Sequence, residues 1–174
     1  MKKVLLFPVL AALALAASVQ AADVTAKITD VHLCCKNCVT GVEKAVGKVD
    51  GVKVDADKDA GSVTLTAADK GALQKATDAL LEAGYYGKCA DGTVKIRAKR
   101  NAKDETVKSV KISGVHICCG KCEKAVDKAV KSVAGVTGDT AKKDAESFEV
   151  TGEFNEKAVF DALQKAGFSG KVAK

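Results

Sequence analysis

Aromatic side chains are scarce in this chain: they make up 4% of its 174 residues, and tryptophan is absent. A single large core of stacked rings is excluded, so Val, Ala, Leu and Ile are expected to fill smaller cores. Proline occurs once, at Pro8, and methionine once, at Met1. Thioredoxin-like enzymes place a proline opposite the active disulfide, and no proline follows residue 8 to do so. The only histidines are His32 and His116. Both stand beside cysteines with no evident acid partner, which excludes a hydrolase arrangement. Strong charge of one sign is also missing. The formal charge is +6, and setting aside Lys2 and Lys3 leaves +4. The lysines alternate with Asp and Glu over most of the chain, a solvated surface rather than a nucleic-acid or membrane footprint.

The first 21 residues differ from the rest. Lys2 and Lys3 precede an apolar run from Val4 to Ala17, and Val19-Gln20-Ala21 offers small residues at the usual cleavage positions. This is the three-part pattern of a secretory signal peptide, cut after Ala21. The run is short for a membrane span, which needs about 20 residues. The first cysteine is Cys34, too far from the junction for a lipid-anchored N-terminus. The remainder is expected to be exported, periplasmic or secreted, with no membrane span.

Seven cysteines follow: Cys34, Cys35, Cys38, Cys89, Cys118, Cys119 and Cys122. An odd count with six residues in two tight clusters is not a disulfide framework, because structural bridges join distant segments. Clustered thiols point to metal or redox chemistry.

The clusters belong to a repeat. Val31-His-Leu-Cys-Cys-Lys-Asn-Cys38 returns as Val115-His-Ile-Cys-Cys-Gly-Lys-Cys122. Gly41-Val-Glu-Lys-Ala-Val46 answers Ala125-Val-Asp-Lys-Ala-Val130, and Ala83-Gly84-Tyr85 answers Ala166-Gly167-Phe168. Residues 22–98 and 107–174 therefore read as two copies of one unit, joined by a polar linker over 99–106. In copy one, alternation at Val24, Ala26 and Ile28 predicts a strand. Val42, Ala45, Val46 and Val49 predict a helix closed by Gly51. Val52 and Val54, then Val63 and Leu65, predict two strands about a turn at 57–61. Leu73, Ala76, Leu80 and Ala83 predict a second helix closed by Gly84, followed by a last extended segment. Copy two has the same order. The expected fold is α+β: two tandem ferredoxin-like βαββαβ domains, each with two helices on one face of an antiparallel sheet.

Each cysteine cluster falls between the first strand and the first helix, with Cys38 and Cys122 in the first helical turn. The helix dipole and free amides there favour thiolates, and Lys36 and Lys121 add positive charge. Thiolate both binds soft metals and attacks disulfides, so both chemistries stand open. A Cys-x-x-Cys at this junction, with Ala-Gly-Tyr or Ala-Gly-Phe after the second helix, resembles the heavy-metal-associated domain family. The resemblance spans both copies. It implies metal pairs Cys35/Cys38 and Cys119/Cys122, a metal-transporting ATPase or other acceptor as partner, and Tyr85 and Phe168 near the metal loop.

The pattern departs from the family's Gly-Met-x-Cys-x-x-Cys. No Met follows residue 1. Anchored on the helix, the match puts Leu33 and Ile117 in the place of Met; anchored on the first strand, it sets Gly114-Val115 against Gly-Met with a loop two residues longer, and the alternation that breaks after Ile28 and Ile112 supports the second. Cys34 and Cys118 precede the pairs as candidate third ligands, and His32 and His116 are ligands or loop-ordering groups. Two thiolates suit near-linear Cu(I) or Hg(II); three, with or without imidazole, suit trigonal Cu(I) or tetrahedral Zn(II). Cys89 aligns with Val172 and is expected in a strand. The reading is a non-enzymatic, exported metal chaperone or scavenger, most simply for Cu(I), with one site per copy. The alternative is a periplasmic thiol–disulfide redox protein.

Overall fold

The computed structural model describes residues 22–174. The leader read in residues 1–21 lies outside them. Among the described residues no helix is long and apolar enough to cross a membrane.

The first half runs β1 (Val24–Ile28), α1 (Lys36–Val46), β2 (Val52–Asp57), β3 (Ser62–Ala67) and α2 (Lys70–Glu82). Its sheet has the order β1-β3-β2, all antiparallel. The second half runs β4 (Thr106–Ser113), α3 (Gly120–Lys131), β5 (Val136–Asp139), β6 (Ser147–Asn155), α4 (Glu156–Lys165) and β7 (Lys171–Val172), with the order β5-β6-β4-β7. Two sheets each carry a packed helix pair, α1 with α2 and α3 with α4. This is the tandem ferredoxin-like arrangement.

Period-2 and period-3.6 patterns converge on each core. Ala26, Ile28, Val63 and Leu65 face Val42, Val46, Leu73 and Ala76 across the first layer, all buried. In the second, Val110, Ile112 and Val150 face Val126, Val130, Val159 and Leu163. The scarce aromatics are not shared evenly. Phe148, Phe154, Phe160 and Phe168 all lie buried in the second half, so its core is not the purely aliphatic one expected from composition.

Three local details differ from the pattern. Helix α1 stops at Val46: the Gly47 amide makes the last i→i−4 bond, to the Glu43 carbonyl, and Val49 N–H then bonds Val46 O in a tighter turn, both at 2.8 Å. Gly51, with φ +74°, turns the chain into β2 rather than closing the helix. The last segment of the first half pairs with the chain just past β1 in the single Thr29–Lys88 bridge, whereas β7 forms a short ladder on β4. The reason is a turn at Asp91, whose Oδ1 accepts from Thr93 N–H at 2.9 Å and from the Cys89 thiol at 3.0 Å. Cys89 thus sits in a turn, not in the strand expected from its alignment with Val172. Beyond it the chain crosses α2, where the Gln74 amide clips both polar groups of the Lys95 backbone at 2.8 and 2.9 Å.

The segment before β4 is fastened to α4. Lys103 N–H donates to Glu156 Oε2 at 2.8 Å, Glu156 N–H donates to Glu105 O at 2.9 Å, and Asn155 Nδ2 donates to Asp104 Oδ1 at 2.8 Å. Glu156 is 7% exposed, so its carboxylate is a buried acceptor that leaves Lys103 unpaired if lost. Glu156→Ala is expected to cost about 1–3 kcal/mol. It should also abolish protection of the Lys103 amide in hydrogen exchange while β6 keeps its own.

Candidate metal centre

The cysteine loops end at helix N-termini by construction. Cys35 and Cys119 are the N-caps of α1 and α3, with extended backbones (φ −161°, ψ 171° and φ −157°, ψ 168°) and no side-chain capping bond. A Ser or Asp at that position would satisfy a first-turn amide. A thiol leaves the amides' partial positive charge for a thiolate instead. One turn on, Cys38 and Cys122 point inward and are completely buried.

The two loops meet. All seven cysteines are free thiols, and six of them interleave across the two halves. Cys34 Sγ lies 3.4 Å from Cys119 Sγ and 3.4 Å from Cys122 Sγ. Cys118 Sγ lies 3.7 Å from Cys35 and 3.5 Å from Cys38. Cys38 and Cys122 are 3.8 Å apart, a distance that also separates Cys34 from Cys38, Cys35 from Cys38 and Cys118 from Cys122. Cys119 is 3.7 Å from Cys122. A disulfide needs about 2.05 Å, so these are non-bonded thiols in contact. The expectation of one site per copy gives way to a single cluster, because the sulfurs of each half have their near neighbours in the other.

Backbone and rings hold this junction. Tyr85 and Phe168 form an antiparallel bridge between the halves. Tyr86 N–H donates to Gly167 O at 3.0 Å, and Ser169 N–H donates to Gly84 O at 2.9 Å. His32 stacks on Phe168 with centroids 4.4 Å apart, and His116 stacks on Tyr85 at 4.5 Å. Each histidine therefore serves the other half's aromatic. Gly84 (φ +93°) and Gly167 (φ +87°) close helices, as their positions suggested. They have a second duty: a Cβ at Gly84 would lie 2.3 Å from His116 N, and one at Gly167 would lie 2.4 Å from His32 N.

Gly41 is a site residue that sequence reasoning passed over. It stands in α1, where its Cβ would lie 2.2 Å from the Tyr85 hydroxyl. That hydroxyl is buried and donates to the Cys38 carbonyl at 2.8 Å. The second half has Ala125 and Phe168 at these places. A missing hydroxyl makes room for a methyl, so the two differences between the repeats compensate. Comparing both positions in the aligned repeats was the available signal.

The thiols do not titrate alike. The neighbouring Cys122 thiol, with His116 and Cys118, holds Cys38 well below the ordinary thiol range. Its bond to Cys38 and burial push Cys122 up. Burial, then contact with Cys119, pushes Cys34 up to about 12, and burial likewise raises Cys118. At Cys119, burial works upward but is outweighed by the amides of Cys122 and Lys121 and the Cys34 thiol, leaving it at about 6. Uniform depression by the helix dipole is thus corrected: crowding of like charges lets a few thiolates form and opposes the next. Burial lowers His32, favouring a neutral imidazole, which is the form that ligates.

Trios of donor atoms lying mutually within 4.8 Å include His32 with Cys34 and Cys122, Cys34 with Cys35 and Cys119, Cys35 with Cys38 and Cys118, and Cys118 with Cys119 and Cys122. The Nε2 atoms of His32 and His116 are buried without a hydrogen-bond partner, unusual in a satisfied interior. A thiol-rich set with spare imidazole nitrogens suits a soft ion. Cys89 takes no part in these trios and bonds Asp91 instead. A cleft of about 1020 Å³ lies apart, lined by Lys70, Lys95, Arg97, Lys99 and Lys171 among others and by no cysteine.

No family model matches the chain, and no curated protein does. Among solved structures, the chain is similar to a copper binding domain from HMA7, a P-type ATPase, at 17% identity and TM-score 0.36, over 39% of this chain and 96% of that one. Oxidized MerP from Ralstonia metallidurans CH34 matches at 23% identity and TM-score 0.36, over 40% of this chain and 100% of that one. The N-terminal soluble domains of Bacillus subtilis CopA match at 15% identity and TM-score 0.32, over 88% of this chain and 95% of that one.

Two outcomes follow from the geometry of the centre. Gly41→Ala should destabilise by about 1–3 kcal/mol through overpacking. Adding Tyr85→Phe should recover most of that loss, read as a coupling energy in a urea-unfolding double-mutant cycle. At pH 7 in the metal-free reduced protein, Cys119 should be alkylated before Cys34 and Cys118, as peptide mapping after brief iodoacetamide treatment would show. Equal labelling of Cys34 and Cys119 would contradict the charge distribution above.

Proposed function

We propose that this chain is an exported soft-metal-binding protein, a chaperone or scavenger of Cu(I) that works by binding and not by catalysis. One observation carries the reading: six thiols from two helix N-termini converge in a pocket walled by Tyr85, Phe168 and two imidazoles. Cysteine thiolates select soft ions over the hard ions that carboxylates hold. Buried Cys38 supplies thiolate charge where water cannot compete, with the Cys122 thiol beside it holding that charge. Cys34 and Cys118 extend the two Cys-x-x-Cys pairs, and His32 and His116 close the pocket from opposite halves. A metal-transporting ATPase or another thiol-bearing acceptor is the partner class that fits such cargo, since ligand exchange between thiolates moves the ion without freeing it.

Native mass spectrometry of the reduced chain offered Cu(I), Zn(II) and Hg(II) in turn and in competition tests this. Cu(I) should be retained when Zn(II) is in excess. Rapid cycling to intramolecular disulfides with no metal retained would favour the thiol–disulfide redox alternative. N-terminal sequencing of protein recovered from the cell exterior or periplasm should begin at Ala22. Cys38→Ser should reduce the metal held by the chain as a whole and not by its first half alone, because Cys38 touches both Cys118 and Cys122.

A further inference from the structure

We propose that the six cysteines hold one four-ion Cu(I)–thiolate cluster shared between the halves, an inference that rests on the soft-metal reading above. The four donor trios share corners. Cys35 belongs to the trios of Cys34/Cys119 and Cys38/Cys118. Cys118, Cys119, Cys122 and Cys34 likewise each belong to two. Cys38 belongs to one of these four, and it forms a further trio with Cys34 and Cys122, lying 3.8 Å from each while those two are 3.4 Å apart. It can therefore take the place of His32 in the fourth trio, after which every cysteine belongs to two trios. A sulfur belonging to two trios is a bridging thiolate.

The same distances give the overall shape. Every sulfur lies within 4.8 Å of all the others but one. The pairs left over are Cys34/Cys118, Cys35/Cys122 and Cys38/Cys119. That connectivity is an octahedron with those pairs as its diagonals. The four trios, with Cys38 in the last, are alternate faces of it, and an ion on each face sees three sulfurs.

Distance and coordination number favour Cu(I). At metal–sulfur lengths of about 2.3 Å, a linear pair of sulfurs stands about 4.6 Å apart and a trigonal trio about 4.0 Å. Nine of the twelve close pairs run from 3.4 to 3.8 Å, nearer the trigonal spacing than the linear one that Hg(II) takes. Zn(II) asks for four tetrahedral donors, and the faces supply three. Assembly is redox-neutral: four Cu(I) bind six thiolates, each sulfur that is still protonated gives its proton to solvent, and the copper–sulfur core carries a charge of −2. The facing N-termini of α1 and α3, with Lys36 and Lys121 in their first turns, oppose that charge. His32 and His116 remain at the rim.

Anaerobic Cu(I) titration of the full chain, followed by native mass spectrometry, tests the proposal. The wild type should pass from empty to four copper ions with little of the intermediate states. X-ray absorption of the loaded wild type should show short copper–copper scattering, a readout that needs no variant. Combined Cys34→Ser and Cys118→Ser keeps both Cys-x-x-Cys pairs and should fall from four ions to two. Saturation of the wild type at two ions without copper–copper scattering would overturn the cluster and leave soft-metal binding standing. Absence of any Cu(I) uptake by the reduced wild type would overturn both.

Discussion

Two helix N-termini aimed at one another would repel, since each carries partial positive charge on unpaired amides. In this protein α1 and α3 face each other across a layer of sulfur, and that layer is what the junction of the halves depends on. The N-cap thiols Cys35 and Cys119 leave first-turn amides for thiolates. Cys38 and Cys122 bury further sulfur beneath them. Negative charge between the helices satisfies both ends at once, whether it resides in a few thiolates or in a metal–thiolate core. The metal chemistry proposed here and the docking of the halves thus draw on the same electrostatics.

The docking also explains why the repeat is not a simple doubling. Each half lends a histidine to the other's aromatic, so neither loop is complete alone. Gly84 and Gly167 allow the backbone approach by which Tyr85 pairs with Phe168. Gly41 yields space to a hydroxyl that the second half lacks, where Ala125 fills it. These are differences between duplicated copies that settled into one shared surface. Elsewhere the copies diverge freely: aromatic packing went to the second core, and the edge next to β1 gave way to a turn at Asp91.

Much of this architecture was legible in the residues. Strand alternation at Ala26/Ile28 and helical spacing at Val42/Val46 locate the layers, because burial on one face imposes a period that side chains cannot hide. Helix ends were harder. The spacing through Val49 carried α1 on to Gly51, and the turn from Val49 N–H to Val46 O ended it at Val46 instead. The fate of Cys89 depended on one carboxylate two residues away, a local bond that repeat alignment overrides incorrectly.

The amino-acid sequence by itself determined that six cysteines and two histidines would stand at two equivalent strand–helix junctions, since local periodicity and duplication fix what lies at each junction. Only the tertiary structure decided that the junctions face each other and share their sulfurs. No periodicity encodes that relation. It arises from contacts between residues more than eighty positions apart, among them Cys34 with Cys122 and Tyr85 with Phe168, and from the absence of two Cβ atoms where the halves must touch.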